Sequence, residues 1–279
     1  MALRVAAIDF LNPAPLMWDF DHGPRLSQRY DVHLTEPSQC ARELLAGRAD
    51  LGLIPVAALT PELAIVPGCT IASLRQVRSI QLVVKGTAGL ASVRTIAADT
   101  ASRSSVAYTQ VLFRHFLKTD PTYLPAKADP IPMLQSADAA LLIGDPALHA
   151  LEHRTQIEAA VGPCQWFDVA TEWNTRTNLP WVAAVWAVRP EALPTAAART
   201  ELIEDLNQSR LHGQLHTEDL VTEWQPRIHL PAQTIRHYLT QNIHYTLDPA
   251  CIEAIELFRH LAAEINALPP LGPLNFLQQ

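Results

Sequence analysis

The chain has 279 residues, 48% of them hydrophobic and 18% charged, with a formal net charge of −7 and a pI near 5.9. That length supplies a large core and two lobes of ordinary domain size. The 28 acidic and 21 basic residues are scattered, which argues against nucleic acid as a partner, and the longest apolar runs, such as Leu179–Val188, are too short to cross a membrane.

Met1–Arg4 runs straight into Val5–Ile8, which reads as a first core strand. No apolar targeting segment precedes it, so with this as the native start the expected location is the cytoplasm. Asp9–Pro15 is rich in turn residues, and Tyr30–Thr35 alternates like a strand. Pro37-Ser38 opens a helix that Gly47 closes, and Leu51–Ile54 is the next strand. Ser79–Val84 reads as a strand leaving the first lobe, with Lys85–Ala91 as the crossing. Val93–Ala98 then opens the second lobe as a strand. From Ser105 the apolar positions Val106, Leu112, Phe113, Phe116 and Leu117 fall near helical spacing. Leu141–Ile143 is the central strand of that lobe, and Pro180–Val188 is a buried strand crossing back. Residues 195–266 read as mostly helical, with Asp248 as N-cap and Pro249 at the first helical position. The tail, 268–279, reads as an irregular strap.

A repeated phrase organises these elements. Ala49–Pro55 (A-D-L-G-L-I-P) returns as Ala137–Asp145 (A-D-A-A-L-L-I-G-D). Each copy reads as a buried parallel strand emptying into a loop at its carboxyl end, where open α/β sheets collect ligands. The expected architecture is two α/β lobes facing each other across a central cleft. The first lobe is discontinuous, residues 1–87 and 181–279, and the second is 88–180.

Ser102-Arg103-Ser104-Ser105 lies between a strand and a helix. Free N–H groups at the helix start, hydroxyls and a guanidinium would suit a carboxylate or phosphate. The alternative is a serine cap beside a surface arginine. Asn12 follows the first strand and could donate and accept with a substrate, or simply serve as the turn residue before Pro13. Asp9 could act as a base or cap the next helix. Arg78-Ser79 falls near the expected cleft mouth, and a solvated arginine with an edge serine is its plainer reading. Gly144-Asp145 ends the second central strand, and there Asp145 reads first as a helix N-cap. No P-loop or dinucleotide motif is present. Nor is there a Ser-His-Asp pattern, a catalytic cysteine, a carboxylate pair or a metal set. The four cysteines read as buried thiols, and His212 and His216, with Gly213 between them, as solvated.

These residues together resemble the chorismate dehydratases of the futalosine route to menaquinone. The resemblance covers nearly the whole chain. It runs through F-L-N-x-x-P-L (Phe10–Leu16), A-D-L-G-L-I-P-V (Ala49–Val56), V-R-S (Val77–Ser79) and S-R-S-S-V (Ser102–Val106). It continues in A-D-A-A-L-L-I-G-D-P-A-L (Ala137–Leu148), D-x-x-x-E-W (Asp168–Trp173), L-P-x-V-x-A-V-W-A (Leu179–Ala187) and Y-L-x-x-N-I-x-Y-x-L (Tyr238–Leu247). It implies a type 2 periplasmic-binding-protein fold used as an enzyme, a hydro-lyase that dehydrates chorismate to 3-[(1-carboxyvinyl)oxy]benzoate without a cofactor. It implies Asn12 and Ser79 as the residues acting on substrate. Arg103, Ser104 and Ser105, with the Gly144-Asp145 loop, would hold it. Two segments depart from the family pattern: Arg75-Gln76 stands where many relatives have Gly-Pro, and Asp99-Thr100-Ala101 replaces a serine-rich stretch.

Three other functions compete. A solute-binding protein of this fold would need export, for which no signal is read. The dihydroxynaphthoate-forming sibling enzyme has a G-H-S-P-D-type opening, whereas the first histidine here is His22. A regulator's sensing domain would follow a helix-turn-helix, and none precedes this fold.

Overall fold

The computed structural model describes residues 2–100 and 102–278. Met1, Ala101 and Gln279, which enter the readings of the first strand, the 99–105 loop and the tail, lie outside the described residues.

Strand β1 (Leu3–Ile8) leads through α1 (Ala14–His22) and the short α2 (Leu26–Arg29) to β2 (Tyr30–Thr35), its parallel neighbour. Helix α3 (Pro37–Leu45) starts on a proline, whose missing N–H is no loss there. It is followed by Gly47 at φ 70°, a conformation that suits glycine. β3 (Leu51–Pro55) is buried at every position, and β4 (Ala64–Ser73) follows it. Next come β5 (Ile80–Lys85), β6 (Thr95–Asp99) and α4 (Ser104–Gln110), which widens into a π-helical stretch, Val111–Leu117. Then follow β7 (Thr122–Ala126), α5 (Pro130–Ser136), β8 (Ala139–Ile143), α6 (Gly144–Glu152), α7 (Arg154–Val161), β9 (Cys164–Asp168) and α8 (Val169–Thr177). The chain returns through β10 (Trp181–Val188) and continues into α9 (Ala196–Leu215), α10 (Thr217–Ile228) and α11 (Ala232–His237). A π-helical turn (Tyr238–Asn242), β11 (His244–Thr246) and α12 (Pro249–Glu264) complete it, with Asp248 capping α12.

Two sheets form, in the orders β11-β4-β10-β3-β1-β2 and β7-β6-β8-β5-β9. Each has a buried central strand, β3 or β8, parallel on one side and antiparallel on the other. The antiparallel partner is in each case the strand that arrives from the other half, β10 or β5. This corrects the expected boundary: the 79–84 strand does not leave the first lobe but pairs with β8 and β9. The passage between sheets therefore lies at 74–79, ahead of the strand. Burial explains the choice. Leu82 and Val84 join the large apolar cluster that contains Val5, Leu53, Trp186 and Phe258, while Val83 points to a smaller cluster with Leu134, Leu142 and Ile157. A strand apolar on both faces needs a layer on each side. Asp168 secures the passage by accepting from the Val77 and Arg78 N–H groups, the latter at φ 63°.

The repeated Ala-Asp phrase has one structural job in both lobes. Asp50 accepts from the Arg4 N–H at 3.1 Å, and Asp138 from the Arg94 and Thr95 N–H groups at 2.9 Å. Each carboxylate thus ties the start of a central strand to the start of its parallel neighbour. The tail is a strap, as expected, stitched to β4 where the Leu277 N–H meets the Ile65 carbonyl and the Ile65 N–H meets Asn275.

Candidate functional site

The carboxyl ends of β1, β3 and β8 converge on a cleft between the sheets, with Ile8, Pro55 and Ile143 among its apolar walls. A largely apolar cleft with a few convergent polar groups is where a small molecule would be held. The β1–α1 loop supplies Asn12 from one side, and the segment opening α4 supplies Ser102, Arg103, Ser104 and Ser105 from the other. Of the expected site residues, the structure therefore brings Asn12, Arg103, Ser104, Ser105 and Gly144 onto one cavity.

Their states differ. The Asn12 Oδ1 is buried with no hydrogen-bond partner, as are the Ser102 Oγ and the Trp181 Nε1, and all three residues line the cleft. Buried polar atoms are ordinarily paired, so three orphans around one cavity mark where a polar ligand would be held. Ser104 is already engaged. It accepts from the Ala57 N–H at 3.1 Å and donates to the Ala183 carbonyl at 3.3 Å, joining α4 to the turn after β3 and to β10. Ser105 is buried beside it, and Arg103 is exposed at the rim with no ion pair among the described residues. Behind this rim lies Arg259, buried without a carboxylate and holding the Ala57 and Pro269 carbonyls. Burial lowers its pKa, and the charge of Arg103 lowers it further.

Ser79 and Asp145 lie outside the lining. Ser79 is 1% exposed, immediately before the cleft residue Ile80. Its carbonyl accepts from the Gly144 N–H at 2.8 Å, and its hydroxyl accepts from the buried Tyr238 at 2.7 Å. Asp145 is no N-cap: the residue before α6 is Ile143, with no side-chain cap bond. Its carboxylate reaches across the molecule to the Leu11 N–H at 3.1 Å. Loss of water around it pushes its pKa up to about 6, with Asp9 adding to the rise. Asp9 neither caps α1 nor lines the cleft, and instead pairs with Arg227 at 2.9 Å.

The sequence gives Trp181 no visible part in the site. Trp181 sits in an apolar run that reads as core. Ser102 was noticed only as part of its segment. Asp248 caps α12 as its place before Pro249 predicts, but the spacing does not reveal that His244 and Cys251 join it, with ligand atoms within 4.8 Å of one another. Both Asp248 oxygens are engaged there, one by the Cys251 N–H and one by His244, each at 2.9 Å. Burial pushes the Cys251 thiol up to about 12, and the trio is accounted for as the cap of α12. All four cysteines are free thiols. His212 and His216 are half-exposed as expected but not idle, since His212 meets Asp19 and His216 stacks on Trp18. No helix among the described residues is long and apolar enough to cross a membrane.

A chorismate dehydratase of Thermus thermophilus is 29% identical over 250 residues, covering 86% of this chain and 87% of that one. Among solved structures, a protein of Archaeoglobus fulgidus superposes with a TM-score of 0.74 at 16% identity, over 95% of this chain and 98% of that one. The alkanesulfonate-binding protein of Xanthomonas axonopodis, bound to MOPS, gives 0.69 at 17%, over 98% and 96%. A Candida albicans protein described as having the generic periplasmic binding protein fold gives 0.64 at 11%, over 100% and 98%. At such identities the structures speak for the fold alone, which is periplasmic-binding-protein-like, in two mixed sheets around a cleft. A family profile described as menaquinone biosynthesis matches residues 3–264, from the first core strand to the end of α12, and the chain belongs to that family.

Proposed function

We propose that this chain is a chorismate dehydratase, converting chorismate to 3-[(1-carboxyvinyl)oxy]benzoate and water. Family membership and the Thermus relative support the reading, and the make-up of the cleft carries it. The cavity offers neutral hydrogen-bonding groups and one exposed guanidinium, and among the described residues no histidine, cysteine or carboxylate lines it. Such a site suits a reaction that is downhill once its substrate is held correctly.

Chorismate bears a hydroxyl on the carbon next to the one carrying the enolpyruvyl ether. Loss of that hydroxyl with the neighbouring ring proton leaves an aromatic ring. With no base on the walls, the substrate's own enolpyruvyl carboxylate takes the proton, and the protein keeps it within reach. Asn12 hydrogen-bonds the departing hydroxyl as charge develops on it. Ser79 acts from behind the lining: by holding the Gly144 N–H on its carbonyl and the Tyr238 O–H on its hydroxyl, it fixes the cleft wall at Ile80 and Gly144. Ser105 and Arg103, with the free N–H groups at the start of α4, hold a substrate carboxylate.

The test mixes the purified chain with chorismate alone and follows the aromatic enolpyruvyl ether by mass and absorbance. Product at a rate proportional to protein is the expected result. Saturable binding of chorismate with no product would replace this reading with a solute-binding one.

A further inference from the structure

Asp145 is a half-buried carboxylate that the reaction above does not use. It stands in the first turn of α6 yet caps nothing there. It lies outside the cleft lining, beside a separate groove that His149, His153 and Arg227 also line. What it does is accept from the N–H of Leu11, 134 positions away in sequence and in the opposite lobe. Leu11 is the residue before Asn12.

The rest of that loop is held in the same manner. The Asp9 N–H meets the Thr35 carbonyl at 2.9 Å, and the Asp9 side chain meets Arg227. The Leu11 carbonyl takes the Ala14 N–H at 3.1 Å. The Phe10 ring lies so close over Gly144 that a Cβ there would come within 2.7 Å of it. Asn12, by contrast, has an unpartnered Oδ1 among the described residues, so the place of that atom depends on the backbone that carries it. Among the described residues these anchors lie on Asn12's neighbours, and the charged one that comes from the second lobe is Asp145.

We propose that Asp145 is a positioning residue for the reaction: by holding the Leu11 N–H across the cleft it sets where Asn12 stands when the lobes face each other. This rests on the reading of Asn12 as the group that acts on substrate. It differs from the expectation that Asp145 binds substrate, because a substrate ligand would change affinity whereas a positioning residue changes turnover.

The test uses the full chain with Asp145→Ala, Asp145→Ser and Asp145→Asn. Alanine has no acceptor, serine is too short to reach, and asparagine keeps an oxygen in the same place. Hydrogen exchange at the Leu11 amide, without substrate, should speed up roughly tenfold or more in the first two and stay near wild type in the third. With chorismate, kcat should fall by a similar factor in the first two while KM moves less than about threefold, and asparagine should restore kcat. Melting curves confirm that each variant is folded. Unchanged Leu11 exchange in both alanine and serine variants would overturn the proposal, as would a rise in KM with kcat intact. If wild-type protein does not turn over chorismate, the proposed function fails by itself, and the exchange measurement still decides whether Asp145 holds the loop.

Discussion

Asn12 and Ser105 face the same cavity with different burdens, and kinetics should separate them. A donor that meets charge only as it develops contributes to turnover. Asn12→Ala should therefore lower kcat about a hundredfold and leave KM nearly unchanged. Ser105 holds a charge present from the start, so Ser105→Ala should raise KM about tenfold with kcat largely kept. Steady-state rates on chorismate check both, and the opposite pattern would exchange their roles. Asp145 makes a prediction about pH. Its carboxyl titrates near 6 instead of 3.8, chiefly because burial strips it of water. Asp9 raises it further, while the Leu11 N–H and Arg227 work the other way. A folded carboxyl with a raised pKa holds its proton more tightly than the unfolded chain does. Its contribution to stability is full below about pH 4 and is lost as pH rises through 6, a loss of roughly 2–3 kcal/mol. Asp145→Asn should accordingly raise Tm at pH 8 and give no such gain at pH 4. An equal gain at both values would show that charge is not the cause. At this scale the cleft residues Asn12, Arg103, Ser104, Ser105 and Gly144 were legible because strand ends carry ligands. Ser79 and Asp145 stand just outside that lining: Ser79 is one residue before the cleft residue Ile80, where neighbouring strand side chains face opposite ways, and Asp145 sits in the first turn of α6, bonded to Leu11.

Elements were legible where pattern and burial agree. The buried runs of β3, β8 and β10, the strand at β2, and the proline starts of α3 and α12 all appear in the structure, although the alternation of β2 fails at Leu34, which is exposed. Strands β4, β7 and β9 escaped for physical reasons. β4 contains Pro67 and Gly68, which break its pattern, and β7 is mostly exposed at a sheet edge with Pro125 in it. β9 reads as mixed because four of its five positions are only half-buried. The misplacement of β5 has another source. A strand apolar on both faces does not reveal from its sequence which sheet will enclose it; the two clusters that cover its faces and the clasp of Asp168 on Val77 and Arg78 come from residues distant in the chain. Two π-helical stretches, Val111–Leu117 and Tyr238–Asn242, carry no pattern that distinguishes them from ordinary helix, although the second brings Tyr238 to Ser79.

At the level of the whole molecule, two lobes around a cleft follow from the repeated phrase, but which half owns which crossing strand does not. The exchange of crossing strands bears on the order in which a growing chain can fold. The second sheet draws all its strands from residues 80–168, an unbroken span. The first cannot close until β10 slides between β3 and β4, which requires residue 188 to have been made, long after β1, β2, β3 and β4. During synthesis, the half nearer the amino terminus must wait for the half that follows it, against the usual order in which earlier segments fold first. In refolding, pulsed hydrogen exchange should accordingly find the amides of β6 and β8 protected before those of β3 and β4, and simultaneous protection would mean that the two sheets form as one unit. A nascent chain paused before residue 181 could pair β2, β1 and β3 but would leave β4 cut off from them, with β3 and β4 each showing an open edge where β10 belongs, and it is at that stage that this protein would most need a chaperone.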